Sequence, residues 1–225
     1  MKAIVLSGGA GSRLGTFTAN TPKGLVIVAG KPLLEHVIDW LKENDVKDII
    51  IGVAYLHEKI QAHFEDGNSY GVKIQYSQHT VEGGTAQGFK LAIKRYIKPR
   101  KDKVFYAMNG DQITDLRLNN LSKILKDGVA TITAINPVLP FSVLNIDGEY
   151  CRNFREKPRL KLFCSAGIYA FKPSISRFLP DTGDIERATF PVLAKDGLLH
   201  VYKHEGHFLT VNTPSDLDLV EAMTR

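Results

Sequence analysis

Short runs of apolar, β-branched residues alternate with amphipathic stretches along the first half of the chain. Amphipathic stretches with helical spacing cover residues 32–44, 57–65 and 84–96. The apolar runs cover residues 3–6, 48–55, 72–77, 103–110 and 130–136. Strand, helix, strand in this order predicts βαβ units with right-handed crossovers. Continuous apolar strands are typical of a sheet covered on both faces. We therefore expect an α/β fold of Rossmann-like type: an open, mixed, mainly parallel sheet with helices on both faces.

The second half of the chain is richer in strand patterns. Residues 142–158 predict a hairpin that turns at Asp147-Gly148, residues 162–173 predict another strand, and a closing helix follows Pro214. With 225 residues, the chain predicts one domain, 1–225. Within it we expect a ligand-binding part over about 1–128 and a small β-rich lobe within about 129–225.

The charge balance points to anionic ligands. The formal net charge is +5 and the isoelectric point is about 9.1. Nucleic acid and a phosphorylated small molecule both fit such a charge. However, the cations are scattered, residues 98–103 are the one tight cluster, and no aromatic residues are interleaved with it. We expect no nucleic-acid partner.

Neither the cysteines nor the apolar runs indicate a secreted or membrane protein. Cys151 and Cys164 form no CxxC pair, so we expect two buried thiols rather than a zinc framework or disulfide. No apolar window approaches the ~20 residues that span a bilayer. The N-terminal apolar run is too short for a signal peptide. The expectation is a cytoplasmic protein without a membrane partner.

A glycine-rich loop follows the first strand, at the sheet edge where ligands gather in open α/β sheets. Glycines allow backbone N–H groups to approach an anion closely, so the loop predicts a phosphate cradle. Leu14 breaks a G-x-G-x-x-G fingerprint that starts at Gly9, and Lys23 lies outside P-loop spacing. What remains is G-G-x-G-x-R, then Pro-Lys ten residues later, so Arg13 and Lys23 can hold phosphate oxygens. A tight turn with two solvated cations is the alternative.

The segment from Leu6 to Leu41 resembles the pattern of the sugar-1-phosphate nucleotidyltransferases, G-G-x-G-x-R-L followed by P-K, an apolar strand, G-K-P and a helix. Five further blocks follow in that family's order: EGGTAQGF at 82–89, AMNGDQITD at 107–115, FREKP at 154–158, SAGIYAF at 165–171 and VNTPSDL at 211–217. The resemblance implies a Mg²⁺-dependent enzyme whose partners are a nucleoside triphosphate and a sugar 1-phosphate. Its products would be a nucleotide sugar and pyrophosphate, and its smaller lobe would bind the sugar.

The resemblance also implies roles for individual residues. The catalytic residues it implies are Arg13, Lys23, Asp111 and Lys157. Nucleotide binding is implied for Leu6, Gly8, Gly9, Gly11, Ser12, Gln78, Gly84 and Thr85. Sugar-phosphate binding is implied for Asn109, Glu156, Lys157 and Gly167. A surface ion pair at Glu156-Lys157 and an ordinary strand glycine at Gly167 are the alternatives.

The metal site departs from the family pattern. Asp111 ends an apolar strand, and a hard oxygen ligand suits Mg²⁺. Many members of the family have a second metal-binding aspartate where this chain has Thr210. An asparagine in a Gly-Val-Asn setting does this work in the acetylglucosamine-1-phosphate uridylyltransferase branch, and Asn212 in TVNT resembles it. The resemblance thus implies Asp111 and Asn212 as metal ligands.

The base-binding residue has two candidates. Family members use a glutamine before the G-T-A block, which indicates Gln78, with His79 as its rival. An amide can both donate to and accept from a pyrimidine edge, which favours a uridine or thymidine nucleotide.

Other interpretations stay open at this stage. His200, His204 and His207 form the one histidine cluster, and a zinc site there is a weak alternative. The acceptor could be a non-sugar phosphate, such as an inositol phosphate or phosphocholine, or the chain could be a non-catalytic regulatory relative. The sequence does not fix the oligomeric state, so a homo-oligomer is also open.

Overall fold

The computed structural model describes residues 1–223. Its strands are β1 (Lys2–Leu6), β2 (Ile27–Val28), β3 (Lys31–Pro32), β4 (Asp48–Val53), β5 (Lys73–Gln78), β6 (Phe105–Asn109), β7 (Gln112–Thr114), β8 (Ala130–Ile135), β9 (Val143–Asp147), β10 (Tyr150–Arg155), β11 (Cys164–Phe171), β12 (Leu199–Lys203) and β13 (Phe208–Thr210).

The helices are α1 (Leu33–Glu43), α2 (His57–Phe64), α3 (Gly84–Tyr96), α4 (Asn119–Ile124), α5 (Ile185–Ala188), α6 (Phe190–Lys195) and α7 (Pro214–Met223). Short 3-10 segments cover Ser12–Thr18, Lys23–Leu25, Asn68–Tyr70 and Pro173–Arg177. The predicted helices at 32–44, 57–65 and 84–96 are confirmed as α1, α2 and α3, with bounds that differ by at most one residue. The predicted C-terminal helix is confirmed as α7, which starts at Pro214.

Seven strands form the central sheet in the order β12-β8-β11-β6-β1-β4-β5. Six of them run parallel, and β11 alone runs antiparallel to both of its neighbours, β6 and β8. The expected mixed, mainly parallel sheet is therefore confirmed. Since β1 lies inside the sheet, between β6 and β4, the loop that follows it emerges at the carboxyl edge away from both edge strands.

The alternation of side chains along each strand divides the core into two layers. From β1, Ala3 and Val5 pack with helices α1, α2 and α4 on one face of the sheet. Ile4 and Leu6 pack on the other face with α3, α5 and α6. Nearly all side chains in both layers are buried. Their burial stabilises the fold by about 25 cal/mol per Å² of apolar surface removed from water. Helices thus cover both faces, as predicted.

A third, smaller apolar cluster supports the glycine-rich loop from below. Leu14 of the loop packs with Val26, Val28 and Leu33, and with Val211 just before α7. Leu217 and Val220 of α7 complete this cluster. The C-terminal helix is therefore tied to the N-terminal loop through a shared apolar contact.

The β-rich half differs from the expectation in its distribution. Strands β8, β11 and β12 extend the central sheet, and β9 and β10 form a separate two-stranded hairpin with its turn at the predicted Asp147-Gly148. The small lobe therefore consists of this hairpin and its flanking loops. Nearly all of its residues are exposed, Ile146, Tyr150 and Phe154 by 63% or more.

The prediction of buried thiols is wrong. Both Cys151 and Cys164 are exposed, because Cys151 lies on the solvated hairpin and Cys164 begins β11 before that strand enters the core. Among residues 1–223, no helix is both long and apolar enough to cross a bilayer.

Candidate active site

A cavity of about 340 Å³ opens at the carboxyl edge of the sheet, above the end of β1. The strand ends, the glycine-rich loop, the start of α3 and the segment before α7 all contribute to its wall. The lining residues are Leu6, Ser7, Gly8, Gly9, Gly11, Ser12, Arg13, Lys23, Gly24, His79, Val81, Gly84, Thr85, Asn109, Gly110, Asp111, Asp184 and Asn212.

The glycine-rich loop presents unused backbone donors to this cavity. In the described part of the chain, no group accepts a hydrogen bond from the N–H of Gly8, Gly9 or Gly11. Gly11 has φ 66°, in the left-handed region, and its carbonyl oxygen accepts hydrogen bonds from the backbone N–H of Leu14 and the hydroxyl of Thr18. The loop is therefore held by these contacts, while Gly8, Gly9 and Gly11 line the cavity with N–H groups that have no acceptor among the described residues, an arrangement suited to an anion.

Lys23 joins the loop to the far wall of the cavity. It follows Pro22 in a 3-10 segment, and its Nζ lies 2.6 Å from Oδ2 of Asp111 and 2.9 Å from Oδ1 of Asn212. Arg13 donates from Nη2 to the same Asn212 oxygen at 2.8 Å. The four side chains, distant in the sequence, thus form one hydrogen-bonded group.

Asp111 is fixed by backbone contacts on both sides. The N–H of Gly110 donates to the carbonyl of Leu6 at 2.8 Å, and Val211 N–H donates to the carbonyl of Asp111 at 2.9 Å. The Lys23 and Asp111 side chains are 15% and 20% exposed, so their ion pair is only partly screened by water. Oδ1 of Asp111 is buried and has no hydrogen-bond partner in residues 1–223.

Asn212 is positioned by the helix that follows it. Oδ2 of Asp216 accepts hydrogen bonds from the backbone N–H of Asn212 at 2.8 Å and of Thr213 at 2.7 Å. Strand β13 pairs with β7, and Thr210 lies opposite Gln112. This pairing brings the segment that ends in Asn212 beside Asp111.

These donors fit a hard divalent cation whose remaining ligands are water molecules and phosphate oxygens. Asp111 offers a buried carboxylate oxygen that lacks a partner, and Asn212 offers an amide oxygen. In the part of the chain that the structure describes, no group of three or more His, Cys, Asp or Glu could hold a metal by itself. Mg²⁺ commonly binds through one or two protein oxygens plus substrate phosphates, so such a pair is sufficient.

His79 lies under the glycine-rich loop, whereas its rival Gln78 is exposed and does not line the cavity. The imidazole fills a niche between glycines of three elements: a Cβ on Gly8 would lie 2.6 Å from Nε2, one on Gly88 3.3 Å from Nε2, and one on Gly52 3.6 Å from Cε1. Burial lowers the pKa of His79 below its usual value. A neutral imidazole therefore supports the loop near neutral pH.

The residues implied for the sugar phosphate are not all at the cavity. Asn109 lines it, and Gly167, with φ 71°, lies directly behind Asn109, where any side chain would overlap Gln112. Glu156 and Lys157 are exposed in the loop directly after the hairpin, and Glu156 accepts a hydrogen bond from Ser142. Lys157 has φ 41° directly before Pro158, a strained conformation for a side-chain-bearing residue.

In the C-terminal histidine cluster, the side chains of His200 and His204 have separate partners. His200 contacts the carbonyl of Ile124 at 2.6 Å through Nδ1. The Nε2 of His204 lies 3.1 Å from Oδ1 of Asp115, and His207 is exposed. The side chains of His200 and His204 therefore face different elements rather than one metal position.

Sequence reasoning missed one ionisable residue of the cavity wall. Asp184 stands beside Gly84, although it follows Gly84 by 100 positions in the sequence. The residues around it, DIERATF, belong to none of the recognised blocks. Only the three-dimensional contact between the start of α3 and the start of α5 reveals it.

Known proteins resemble this chain in sequence and in fold. The family model described as "Nucleotidyl transferase" matches residues 2–202. A mannose-1-phosphate guanylyltransferase catalytic subunit beta from Danio rerio is 29% identical over 226 residues, which cover 96% of this chain and 62% of that protein. The chain thus spans less than two thirds of this relative's length.

Two further similarities extend over nearly the full length of this chain and of the protein it is compared with. A probable glucose-1-phosphate cytidylyltransferase from Bacillus subtilis is 30% identical over 247 residues, covering 99% of this chain and 96% of that protein. The crystal structure of a putative glucose-1-phosphate thymidylyltransferase from Bacillus anthracis, in complex with a sucrose, superposes with a TM-score of 0.78 and 25% identity. It covers 100% of this chain and 95% of that structure.

Proposed function

We propose that this chain, which belongs to the nucleotidyl transferase family, transfers a nucleotidyl group from a nucleoside triphosphate to a sugar 1-phosphate. The sugar phosphate oxygen attacks the α-phosphorus, the bond between the α- and β-phosphates breaks, and pyrophosphate leaves. The products are a nucleotide sugar and pyrophosphate. The proposal includes Mg²⁺ as the cofactor and the cytoplasm as the site of action.

The observation that carries the proposal is the convergence of Arg13, Lys23 and the free N–H groups of Gly8, Gly9 and Gly11 on one cavity. Together they offer two cations and several backbone donors to one ligand. A chain of phosphates matches this set, because it carries several negative charges over a short distance. The position at the carboxyl edge of the sheet agrees with ligand sites in open α/β folds.

The reaction requires that the two substrates are positioned and that the charge on their phosphates is neutralised. It does not require a strong base, because the attacking phosphate is already an anion near neutral pH. Arg13 and Lys23 would neutralise charge on the transferring phosphate and on the leaving pyrophosphate. In this proposal Asp111 and Asn212 hold Mg²⁺, which supplies Lewis acidity toward phosphate oxygens when bound. Among the described lining residues, no hydrogen bond links a serine or an aspartate to His79, in keeping with this chemistry.

The hairpin would supply the sugar phosphate contacts through Glu156 and Lys157. Both are exposed in this structure, so their role requires the hairpin loop to approach the cavity when the acceptor binds. Lys157→Ala is then expected to raise the KM for the sugar phosphate and to leave the KM for the triphosphate nearly unchanged. The control is Lys161→Ala, at an exposed position in the same loop after the hairpin.

A pyrophosphate-release assay with Mg²⁺ tests the proposal. Five triphosphates (ATP, GTP, CTP, UTP and dTTP) are crossed with mannose, glucose, galactose and N-acetylglucosamine 1-phosphates, and with an inositol phosphate and phosphocholine. We expect turnover with at least one sugar 1-phosphate and formation of the matching nucleotide sugar. Turnover confined to inositol phosphate or phosphocholine would contradict the sugar acceptor. A folded protein with no turnover in the entire panel would contradict catalysis.

A further inference from the structure

Asp184 brings an unused carboxylate to the cavity. It immediately precedes α5, and its Oδ1 lies 3.2 Å from where a Cβ on Gly84 would stand. None of the described residues donates a hydrogen bond to this carboxylate. Within residues 1–223, its one ionic neighbour is Nε of the exposed Arg187, at 3.7 Å. Both carboxylate oxygens are therefore available to a ligand.

Backbone contacts hold Asp184 firmly against the start of α3. Gly183 N–H donates to the carbonyl of Gly83 at 2.9 Å, and Ala86 N–H donates to the carbonyl of Gly183 at 2.9 Å. On the other side of Asp184, Ile185 N–H donates to Oγ1 of Thr85 at 3.0 Å. The backbone at Asp184 is therefore held in place at the cavity wall, which limits where its carboxylate can reach.

The position of Asp184 assigns it to the uncharged part of the nucleotide. Arg13, Lys23, Asp111 and Asn212 form one hydrogen-bonded group, and Asp184 is not part of it. A carboxylate repels phosphates, so it suits the base rather than the triphosphate. Val81 lines the same cavity and adds apolar surface that a flat ring can cover.

We propose that Asp184 reads the base and that the nucleotide is guanosine triphosphate; this inference rests on the proposed nucleotidyl transfer. A carboxylate accepts two hydrogen bonds side by side. Guanine presents two adjacent donors, N1–H and the 2-amino group. In adenine, cytosine, uracil and thymine the donor on the pairing edge has an acceptor beside it, which would face the carboxylate and be repelled.

Analogue nucleotides and one conservative variant test this assignment. Steady-state rates are measured with GTP, ITP, XTP, UTP, dTTP, CTP and ATP, using the best sugar 1-phosphate of the panel. Inosine lacks the 2-amino group, and xanthine has a carbonyl in its place. Calorimetric binding of the same nucleotides, without sugar phosphate, provides a readout that does not depend on turnover.

We expect the wild type to prefer GTP over ITP by roughly tenfold or more in kcat/KM and in affinity. Asp184→Asn should lower kcat/KM for GTP by roughly 10- to 100-fold. It should also raise the ratio of kcat/KM for XTP to kcat/KM for GTP, because the amide can donate to the xanthine carbonyl. Asp181→Asn is the matched control. Asp181 pairs with Lys90 on the surface and does not line the cavity, so its replacement should leave the ranking unchanged.

Other results would overturn the assignment. Wild-type turnover with a ranking led by UTP, dTTP, CTP or ATP would refute guanine recognition and leave the proposed transfer intact. An Asp184→Asn variant that alters only the KM for the sugar phosphate would place the carboxylate on a sugar hydroxyl instead. Absence of turnover with every nucleotide would count against the proposed function. The binding measurement would then still test Asp184, because equal affinities for GTP and ITP would refute its role in base recognition.

Discussion

Lys23 and Asp111 are 88 positions apart in the sequence and meet at the cavity, with Nζ of Lys23 2.6 Å from Oδ2 of Asp111. The contact joins the loop after β1 to the end of β6, which lie side by side because β1 and β6 are parallel neighbours. Lys23 also reaches Asn212, so one ammonium links the proposed phosphate cradle to both proposed metal ligands. A ligand with phosphates and a cation would compete for these same contacts.

Replacement of Arg13 should damage transfer without unfolding the protein. Arg13 is exposed and makes one side-chain hydrogen bond, to Asn212, so its removal costs little stability. Arg13→Ala should lower kcat by roughly 10²- to 10³-fold, the usual effect of losing one transition-state donor. Arg13→Lys should recover only part of this loss because it lacks the planar fork. Initial rates and circular dichroism measure the two effects, and exposed Arg100→Ala is the control. Near-normal rates in Arg13→Ala would refute the phosphate role.

Loss of either proposed metal ligand should appear as a change in the Mg²⁺ requirement. Asn212→Ala removes one oxygen and leaves Asp111, so activity should return in part at higher Mg²⁺ concentration. Asp111→Asn removes the charge and should lower kcat by roughly 10²-fold or more at any Mg²⁺ concentration. Rates are measured over a Mg²⁺ titration, with the exposed Asp196→Asn as control. An Asn212→Ala variant with an unchanged Mg²⁺ midpoint would exclude this side chain as a ligand.

Asp216 should matter for both stability and transfer. Its carboxylate satisfies the N–H groups of Asn212 and Thr213, at 2.8 and 2.7 Å, and so fixes the start of α7. Asp216→Ala should cost about 1 kcal/mol in the free energy of unfolding, like the loss of a helix cap. It should also lower transfer because Asn212 loses its anchor. Denaturant unfolding and initial rates measure both effects. The exposed Asp218→Ala on the same helix should show neither, and equal behaviour of the two variants would contradict the anchoring role.

Acidification should destabilise the protein through two half-buried imidazoles, those of His79 and His36. Burial lowers the pKa of His79, and burial likewise lowers that of His36, so the native state resists protonation. In the unfolded chain both titrate near about 6.5. The stability that depends on neutral imidazole is therefore complete above that pH and is lost as the pH falls through the lowered native pKa.

A non-titrating substitute isolates the contribution of His79. Between about pH 7.5 and about pH 5.5, the fall in Tm should be smaller in His79→Gln than in the wild type. His207→Gln, at an exposed position, should show the wild-type fall. Thermal unfolding followed by circular dichroism at the two pH values gives the comparison, and an undiminished fall in His79→Gln would contradict the argument.

The sequence predicted the parts of the site that depend on local order along the chain. Strand β1, its glycine-rich loop and the end of β6 follow from βαβ alternation, because parallel strands bring their carboxyl ends to one edge. This alternation predicts that Arg13, Lys23 and Asp111 lie near one another. The choice between Gln78 and His79 could not be made, because it depends on the residue at which β5 leaves the sheet.

The periodicity of the sequence did not predict contacts between distant segments. Asp184 reaches the cavity only because the start of α5 packs on the start of α3, and no periodicity encodes that approach. The strand-like sequence around Cys151 predicted a buried thiol. The hairpin that carries it stands away from the core, so both of its faces meet solvent.

The most direct test is a crystal structure of the protein with a non-hydrolysable nucleoside triphosphate analogue and Mg²⁺. The account predicts phosphate density against the N–H groups of Gly8, Gly9 and Gly11, with Arg13 and Lys23 on the phosphate oxygens and the metal at Asp111 and Asn212. Clear density for the nucleotide at another place, with the glycine-rich loop free of phosphate, would contradict it.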